Sequence, residues 1–418
     1  MNTRVRALKP GPSVLQSPYL VAAVVALLYL ALLAALWHRF GGDPLRFVHT
    51  GTVFTVHDPA GTRGYDGQFY YYTAVDPLHS AEHMDNATFR LSRIFFPLVI
   101  MAASLGQPGA VPYAMIAINW LAIVGGTLLV ALLLARWGRS PWFALSYALA
   151  GGIPVALTFD TAEPLAFGLI AAGVAAWELR RPVNQAEVGI PSPWLAFLPW
   201  PRLRGNPPPP PATETRPAWR YALPVAGLAF AAAILTRELA VYFVAGYGVI
   251  SVWRRDWRGL LTVGLAFVPY LLWSAYLDVT LGAVGVAFAQ PFEHIPFLAF
   301  WLQLGSPTVR SVAFAAQYMV PTVVFGVLAL WRLAAGWRTL SPLLVAVLGN
   351  VHLITFLPRT GYQHQVAPSR YVLGLALAAV LWAGSARPRW LLWLTLLFVA
   401  GFLAYLYGYV TRDPAYLW

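Results

Sequence analysis

LVAAVVALLYLALLAAL, running from Leu20 to Leu36, is the stretch on which the fold turns. It holds no charge and no alternation of apolar with polar residues, so it does not read as a barrel strand. In a bilayer every backbone amide and carbonyl must be satisfied within the protein, and an unbroken apolar run achieves this as a helix. About 20 such residues cross the hydrocarbon layer. The pattern recurs along the chain, for example at Val372–Ala383, and only 11% of the 418 residues are charged. Soluble globular chains carry about 25%. The sequence therefore reads as an all-α, polytopic helical membrane protein.

Eleven apolar segments read as spans: 18–38, 111–135, 141–159, 162–179, 219–236, 238–253, 259–277, 311–331, 340–357, 369–385 and 389–409. Arg4, Arg6 and Lys9 precede the first and set the N-terminus inside. The apolar core of a cleavable leader is only about 7–15 residues long, so the first run reads as a retained span. With sides alternating, Arg136, Arg139, Arg180, Arg254, Arg255, Arg258, Arg332, Arg338, Arg387 and Arg389 all fall inside. Twelve of the 16 acidic residues fall outside and 18 of the 28 basic residues inside. An even number of spans would break this agreement. The expected setting is a bacterial plasma membrane, N-terminus cytoplasmic and C-terminus, with Asp413, extracytoplasmic.

The net charge of +12 is accounted for by these flanking arginines, and no basic groove with interleaved aromatics points to nucleic acid. The 18 Trp and 20 Tyr suit interfacial belts. The absence of cysteine removes disulfides, thiolate catalysis and cysteine-ligated zinc. Residues 1–418 read as one integral membrane domain with three long connections. Residues 39–110 lie outside and include Ile94–Leu105, apolar but too short to span, hence interfacial or re-entrant. Residues 180–218 lie inside and carry Pro207–Pro211, a stiff spacer. Residues 278–310 form an outer aromatic loop with Glu293 and His294, suited to a lid or a wall against lipid.

The chemistry-bearing stretch is Tyr65-Asp66-Gly67-Gln68-Phe69-Tyr70-Tyr71-Tyr72 in the first outer loop. In one reading Asp66 is an N-cap that accepts a backbone N–H and starts a short surface helix. In the other it is a general base at the mouth of a cavity, with the tyrosines holding a sugar or a lipid-linked substrate. Two tight outer turns add charges at the membrane lip: Asp160-Thr161-Ala162-Glu163-Pro164 and Arg237-Glu238. Such charges are either functional or simply paired at the interface. Glu163 before Pro164 suits the first turn of a helix, or binding of acceptor hydroxyls.

These motifs resemble the GT-C superfamily of polytopic glycosyltransferases, which use polyprenyl-phosphate-linked sugars. Gly64-Tyr65-Asp66-Gly67-Gln68-Phe69-Tyr70 is similar to the Trp-Asp-Gly-x-x-Tyr pattern of the mannosyltransferases that add the second mannose in glycolipid-anchor synthesis. It departs in having Tyr65 for tryptophan and in local spacing. Thr158 to Pro164 resembles their outer turn ending in Ser/Thr-x-Glu, and Leu235-Thr236-Arg237-Glu238 another recurring turn. The Tyr-Asp-Gly-Gln-Phe-Tyr signature also resembles related bacterial membrane proteins. The resemblance implies a GT-C-like helical fold and a base at Asp66.

Three further groups enter the reading. His79-Ser80-Ala81-Glu82-His83 matches H-x-x-E-H, which on a helix places His79 and His83 on one face for zinc with Glu82 beside them. The same residues also suit a solvated turn, and the histidine-rich loop leaves room for a divalent ion, so metal dependence stays open. Arg90 and Arg93 precede the apolar stretch and suit phosphate or lipid headgroups. Arg359, His364 and Arg370 cluster in and after a polar outer turn and suit a phosphate leaving group. The expectation is an inverting glycosyltransferase. Asp66 is the base. Arg93, Arg237, Arg359, His364 and Arg370 hold the donor phosphate. Tyr65, Gln68, Tyr70, Asp160, Glu163 and Glu238 bind acceptor or sugar. A transporter of a lipid-linked precursor would use the same arginines without a base, and Gly151-Gly152-Ile153-Pro154 and Gly282–Gly285 are candidate helix breaks for it. Expected partners are a polyprenyl-phosphate-linked sugar and membrane lipid; sequence does not set the oligomeric state.

Overall fold

A computed structural model describes residues 16–180, 221–285, 291–304, 309–336, 339–358, 367–386 and 388–411. Most of the loop at 180–218, the residues Arg359 and His364, and the tail with Asp413 lie outside the described residues. The described residues form helices and turns, with no strand among them.

The principal helices are α1 (Pro18–Arg39), α2 (Gly67–Val75), α3 (Phe95–Ala103), α4 (Val111–Arg136), α5 (Gly152–Thr158), α6 (Glu163–Leu179), α7 (Ala222–Thr236), α8 (Val241–Trp253), α9 (Trp257–Leu281), α10 (Val309–Ala334), α11 (Pro342–Thr355), α12 (Ala367–Ser385) and α13 (Ala400–Thr411). Six helices are long and apolar enough to cross a membrane, or seven counting the bent pair Pro141–Ala148 and Gly152–Thr158. Their outward faces leave Leu27, Leu121, Leu272, Val327 and Leu403 more than half exposed. Side chains of this kind in such number belong against hydrocarbon, and the chain is a helical membrane protein.

At the centre stands α12, buried from Pro368 to Gly384 at every position except Tyr371. Its alanines and glycines let neighbours approach closely. Gly374 lies against Asn350 and Phe167, and Gly384 against Leu134 and Trp137, where a Cβ would collide. Around it pack α4, α5, α6 and α11, while α1 lies on α4 and α7 lies between α6 and α9. This burial presents the first turn of α12, with Arg370, to the end of the bundle that carries the loop after α1.

The segment expected as a single span at 141–159 is broken, with its two halves bent by 54°. Gly151 and Gly152 sit at the break because their backbones touch Gly401 and the Ser369 carbonyl, leaving no room for a side chain. The Tyr29 hydroxyl donates to the Ala148 carbonyl at 2.6 Å, satisfying an acceptor released there. The interruption is therefore a packing device between backbones.

The loop after α1 is built from short helices that lean on the bundle. The apolar Ile94–Leu105 stretch becomes α3, nine residues long, with Phe96, Pro97 and Ile100 buried. It packs on α2 and α4.

Candidate functional site

Asp66 comes immediately before α2, and its side chain caps nothing. The capping reading is thus not realised. The carboxylate turns away from the helix because two guanidiniums draw it. Arg90 Nη1 donates to Asp66 Oδ1 at 2.9 Å, and Arg370 Nη1 donates to Asp66 Oδ2 at 2.8 Å. Arg370 Nη1 also donates to the Tyr65 hydroxyl at 3.0 Å. Arg90 comes from the short helix Ala87–Leu91, whose start is capped by Asn86 accepting from the Phe89 amide at 2.9 Å. Its Nε and Nη2 donate to the two Asp85 oxygens, each at 2.8 Å, and its guanidinium lies 4.2 Å from the Phe69 ring.

The network continues inward. Arg370 Nε donates to Glu163 Oε1 at 2.6 Å, and Arg237 Nη1 lies 2.8 Å from the same oxygen. Arg93 grips Glu238 with both prongs, Nε to Oε2 at 2.8 Å and Nη2 to Oε1 at 2.6 Å. Four carboxylates, Asp66, Asp85, Glu163 and Glu238, thus balance four guanidiniums, Arg90, Arg93, Arg237 and Arg370. Exposure falls along the chain of pairs, from 44% for the Asp85 side chain and 24% for Asp66 to 4% for Arg370 and 0% for Glu163. Solvent therefore meets the cluster at two places, the Asp66–Asp85 end and Glu238, whose side chain is 32% exposed.

Burial by itself would raise the Asp66 carboxyl, but Arg90 and Arg370 outweigh it and hold the group well below the usual carboxylate range. Burial pushes the Tyr65 phenol up to about 12, with Arg370 offsetting part of the effect, so it stays protonated at neutral pH. The buried Tyr70 hydroxyl makes no hydrogen bond among the described residues, and it lies close enough to Arg93 and Arg370 to act on both electrostatically. It is an available donor or acceptor at the heart of the cluster.

Of the residues expected from sequence, Tyr65, Asp66, Tyr70, Arg93, Glu163, Arg237, Glu238 and Arg370 come together. The others among the described residues have different roles or surroundings. Gln68 is a loop staple: its Oε1 accepts from the Gly51 amide at 2.9 Å and its Nε2 donates to the Arg63 carbonyl at 2.7 Å. Asp160 has no exposed surface and accepts from Asn119 Nδ2 at 3.2 Å, so it is out of reach of an acceptor. Ser80–His83 is a single 3-10 turn, and His79 lies outside it. His79 pairs with Asp76 at 2.9 Å in solvent, whereas His83 Nδ1 donates to the Phe54 carbonyl at 2.8 Å. The common helical face needed for zinc is not formed, and no three metal-binding side chains gather among the described residues. Arg359 and His364 lie outside the described residues. Arg90 reads from sequence as a phosphate or headgroup contact, and its pairing with Asp66, 24 positions away, is added by the structure. Its spacing after Asp85 on a capped helix was the available signal.

A polar cavity of about 950 Å³ opens beside the cluster, lined by Arg39, Arg46, His49, Thr50, Thr62 and Gly64 among others. Phe159 forms the partition, its ring centroid 4.5 Å from that of His49 on the cavity side and 4.6 Å from that of Tyr65 on the cluster side. Burial, helped by Arg46, brings His49 down to about 4, leaving it neutral. A smaller apolar groove of about 260 Å³ runs between α1 and α4, lined by Leu33, Trp37, Tyr113 and Trp120.

Comparisons of the chain with protein-family models, with characterised proteins and with solved structures found no match.

Proposed function

We propose that this chain is a GT-C-like, inverting glycosyltransferase of eleven spans, working at the outer face of a bacterial plasma membrane on a polyprenyl-phosphate-linked sugar. One observation carries the reading: the Asp66 carboxylate, set apart from a large polar cavity by the Phe159 ring, is held by two guanidiniums, Arg90 and Arg370. A donor phosphate is a rival for the same nitrogens, because guanidinium forks suit phosphate as well as carboxylate.

The pairing has a catalytic consequence. A carboxylate held far below its usual range is a poor base, since proton transfer works best when the base titrates nearer the working pH. As the donor phosphate draws Arg370 and Arg90 to itself, Asp66 loses its counter-charges and its basicity recovers. The acceptor O–H then gives its proton to Asp66, and its oxygen attacks the anomeric carbon opposite the phosphate. The carbon–oxygen bond to phosphate breaks, and the electron pair leaves on a phosphate oxygen neutralised by arginine. Attack opposite the leaving group inverts the centre. In this reading the Tyr70 hydroxyl binds donor or sugar once the arginines move, and the acceptor is held in the cavity with its reacting hydroxyl passing Phe159 toward Asp66.

The test is Asp66→Asn in the purified full chain in nanodiscs, offered a panel of radiolabelled polyprenyl-phosphate sugars and a membrane lipid and glycan extract as acceptor. Transfer falls by about 10²-fold or more, the usual scale of general-base catalysis. Transfer within about threefold of wild type removes Asp66 from the role. A lipid-linked precursor transporter needs no base, so unchanged translocation of that precursor by the same variant would favour transport.

A further inference from the structure

We propose that Asp160 is kept as a carboxylic acid that closes a two-bond ring with the Asn119 amide, and that this pair is the positioning element that seats Gly67 and so aims Asp66. Three independent observations meet at this turn.

The first is an unfinished pair. Asn119 Nδ2 donates to Asp160 Oδ1 at 3.2 Å, while Asp160 Oδ2 and Asn119 Oδ1 are buried and have no hydrogen-bond partner among the described residues. Both side chains have zero exposure. Orphaned buried oxygens of this kind are costly. A single proton on Asp160 Oδ2, donated to Asn119 Oδ1, satisfies both at once. An ionised carboxylate satisfies neither.

The second is the absence of a counter-charge. Glu163, three residues on and equally buried, lies against Arg237 and Arg370. No cation acts on Asp160 among the described residues, and burial pushes its carboxyl well above the usual range, with the Asn119 bond offsetting only part. The charged or titratable groups on the surrounding elements are otherwise engaged. His49 is neutral, Asp66 and Arg370 pair with each other, and Glu163 is taken by the two arginines. Of the two carboxyls of this turn, only Glu163 faces guanidiniums.

The third is the backbone. The turn closes with the Thr161 amide donating to the Ala156 carbonyl at 3.0 Å, and Asp160 takes the left-handed position with φ 45°. Glycine usually occupies that place at a helix end. Aspartate is one of the few side chains that tolerate this conformation, and here the turn aims its carboxyl at Asn119. The carbonyls of Phe159 and Asp160 then form the floor on which Gly67 rests, so closely that a Cβ on Gly67 would strike the Phe159 oxygen. Gly67 is the first residue of α2 and follows Asp66 directly. Movement of the turn is therefore passed to Asp66 through backbone contact.

The inference leans on the Asp66 reading for its purpose, but its test does not use sugar transfer. Infrared difference spectra of the purified full chain at pH 7, wild type minus Asp160→Asn, will show a protonated-carboxyl band that shifts in D₂O. Hydrogen exchange over residues 64–75 provides the second measurement. Asp160→Asn retains a two-bond amide pair and tolerates the left-handed turn, so exchange there stays at the wild-type rate. Asp160→Gly relieves the backbone, folds, and loses the ring, so exchange rises about tenfold. A missing carboxyl band, or unchanged exchange in Asp160→Gly, overturns the proposal. If both results hold while Asp66→Asn still transfers sugar, the positioning pair survives and the transferase reading fails.

Discussion

Replacing Glu163 by glutamine keeps the shape of the side chain and removes one negative charge from the deepest point of the ion cluster. Its Oε1 faces Arg237 Nη1 at 2.8 Å and Arg370 Nη2 at 2.5 Å, and all three side chains are 4% exposed or less. Removing one partner of a buried pair costs about 3–5 kcal/mol, because the charge left behind has no water to return to. Arg370 retains Asp66, so the expected penalty is at the lower end, about 3 kcal/mol. The same change has an opposite effect on ligands. Two guanidiniums that no longer share Glu163 are better able to hold an anion. Inorganic pyrophosphate therefore binds roughly tenfold tighter, in line with one added charge-assisted hydrogen bond of about 1.5–3 kcal/mol. The assay is denaturant unfolding of the full chain in detergent followed by tryptophan fluorescence, with a pyrophosphate titration alongside. Asp43→Asn is the control, since the Asp43–Arg46 pair is 3.8 Å apart and its side chains are 49% and 72% exposed. Exposed pairs contribute about 0–1 kcal/mol. A penalty for Glu163→Gln no larger than that of the control, or weaker pyrophosphate binding, refutes the electrostatic account.

Three further outcomes follow from the same geometry. Asp66 titrates lower in the folded chain than its unfolded value near 3.9, so its contribution is fully present above about pH 5 and is lost only as pH falls through the depressed value. The stability difference between wild type and Asp66→Asn is therefore flat from pH 8 to about 5 and shrinks in stronger acid; a change between pH 8 and 6 contradicts it. Gly67→Ala forces a methyl into the Phe159 carbonyl and costs about 1–3 kcal/mol in the same unfolding assay, where a neutral result would show that the two backbones are not in contact. Arg46→Glu at the cavity wall raises the KM for acceptor by about tenfold, the scale of one lost charged contact, and leaves donor hydrolysis unchanged; an unchanged KM places the acceptor elsewhere.

Much of the candidate site was legible because its residues stand in polar breaks between apolar runs. Asp66, Glu163, Arg237, Glu238 and Arg370 are each conspicuous for that reason alone. Their partners were not legible. Arg93 reaches Glu238 across 145 positions and Arg370 reaches Asp66 across 304, and no local pattern encodes such pairings. Gln68 stood inside the most suggestive motif and proved to be a staple, since a buried amide near open loop backbone finds carbonyls and amides to bond. The two histidines share no helical face, because helical spacing matters only where a helix forms, and here a 3-10 turn begins after His79.

Sequence by itself determined that the chain is helical and built for a membrane. That property depends on the length and apolarity of local runs, which hydrocarbon reads one segment at a time. Only the tertiary structure decided where α5 breaks away from the helix before it, which arginine answers which carboxylate, and that Asp160 faces an amide while Glu163 faces two cations. Each of those outcomes depends on what distant helices bring within a few ångströms, where low dielectric and close packing make one partner decisive.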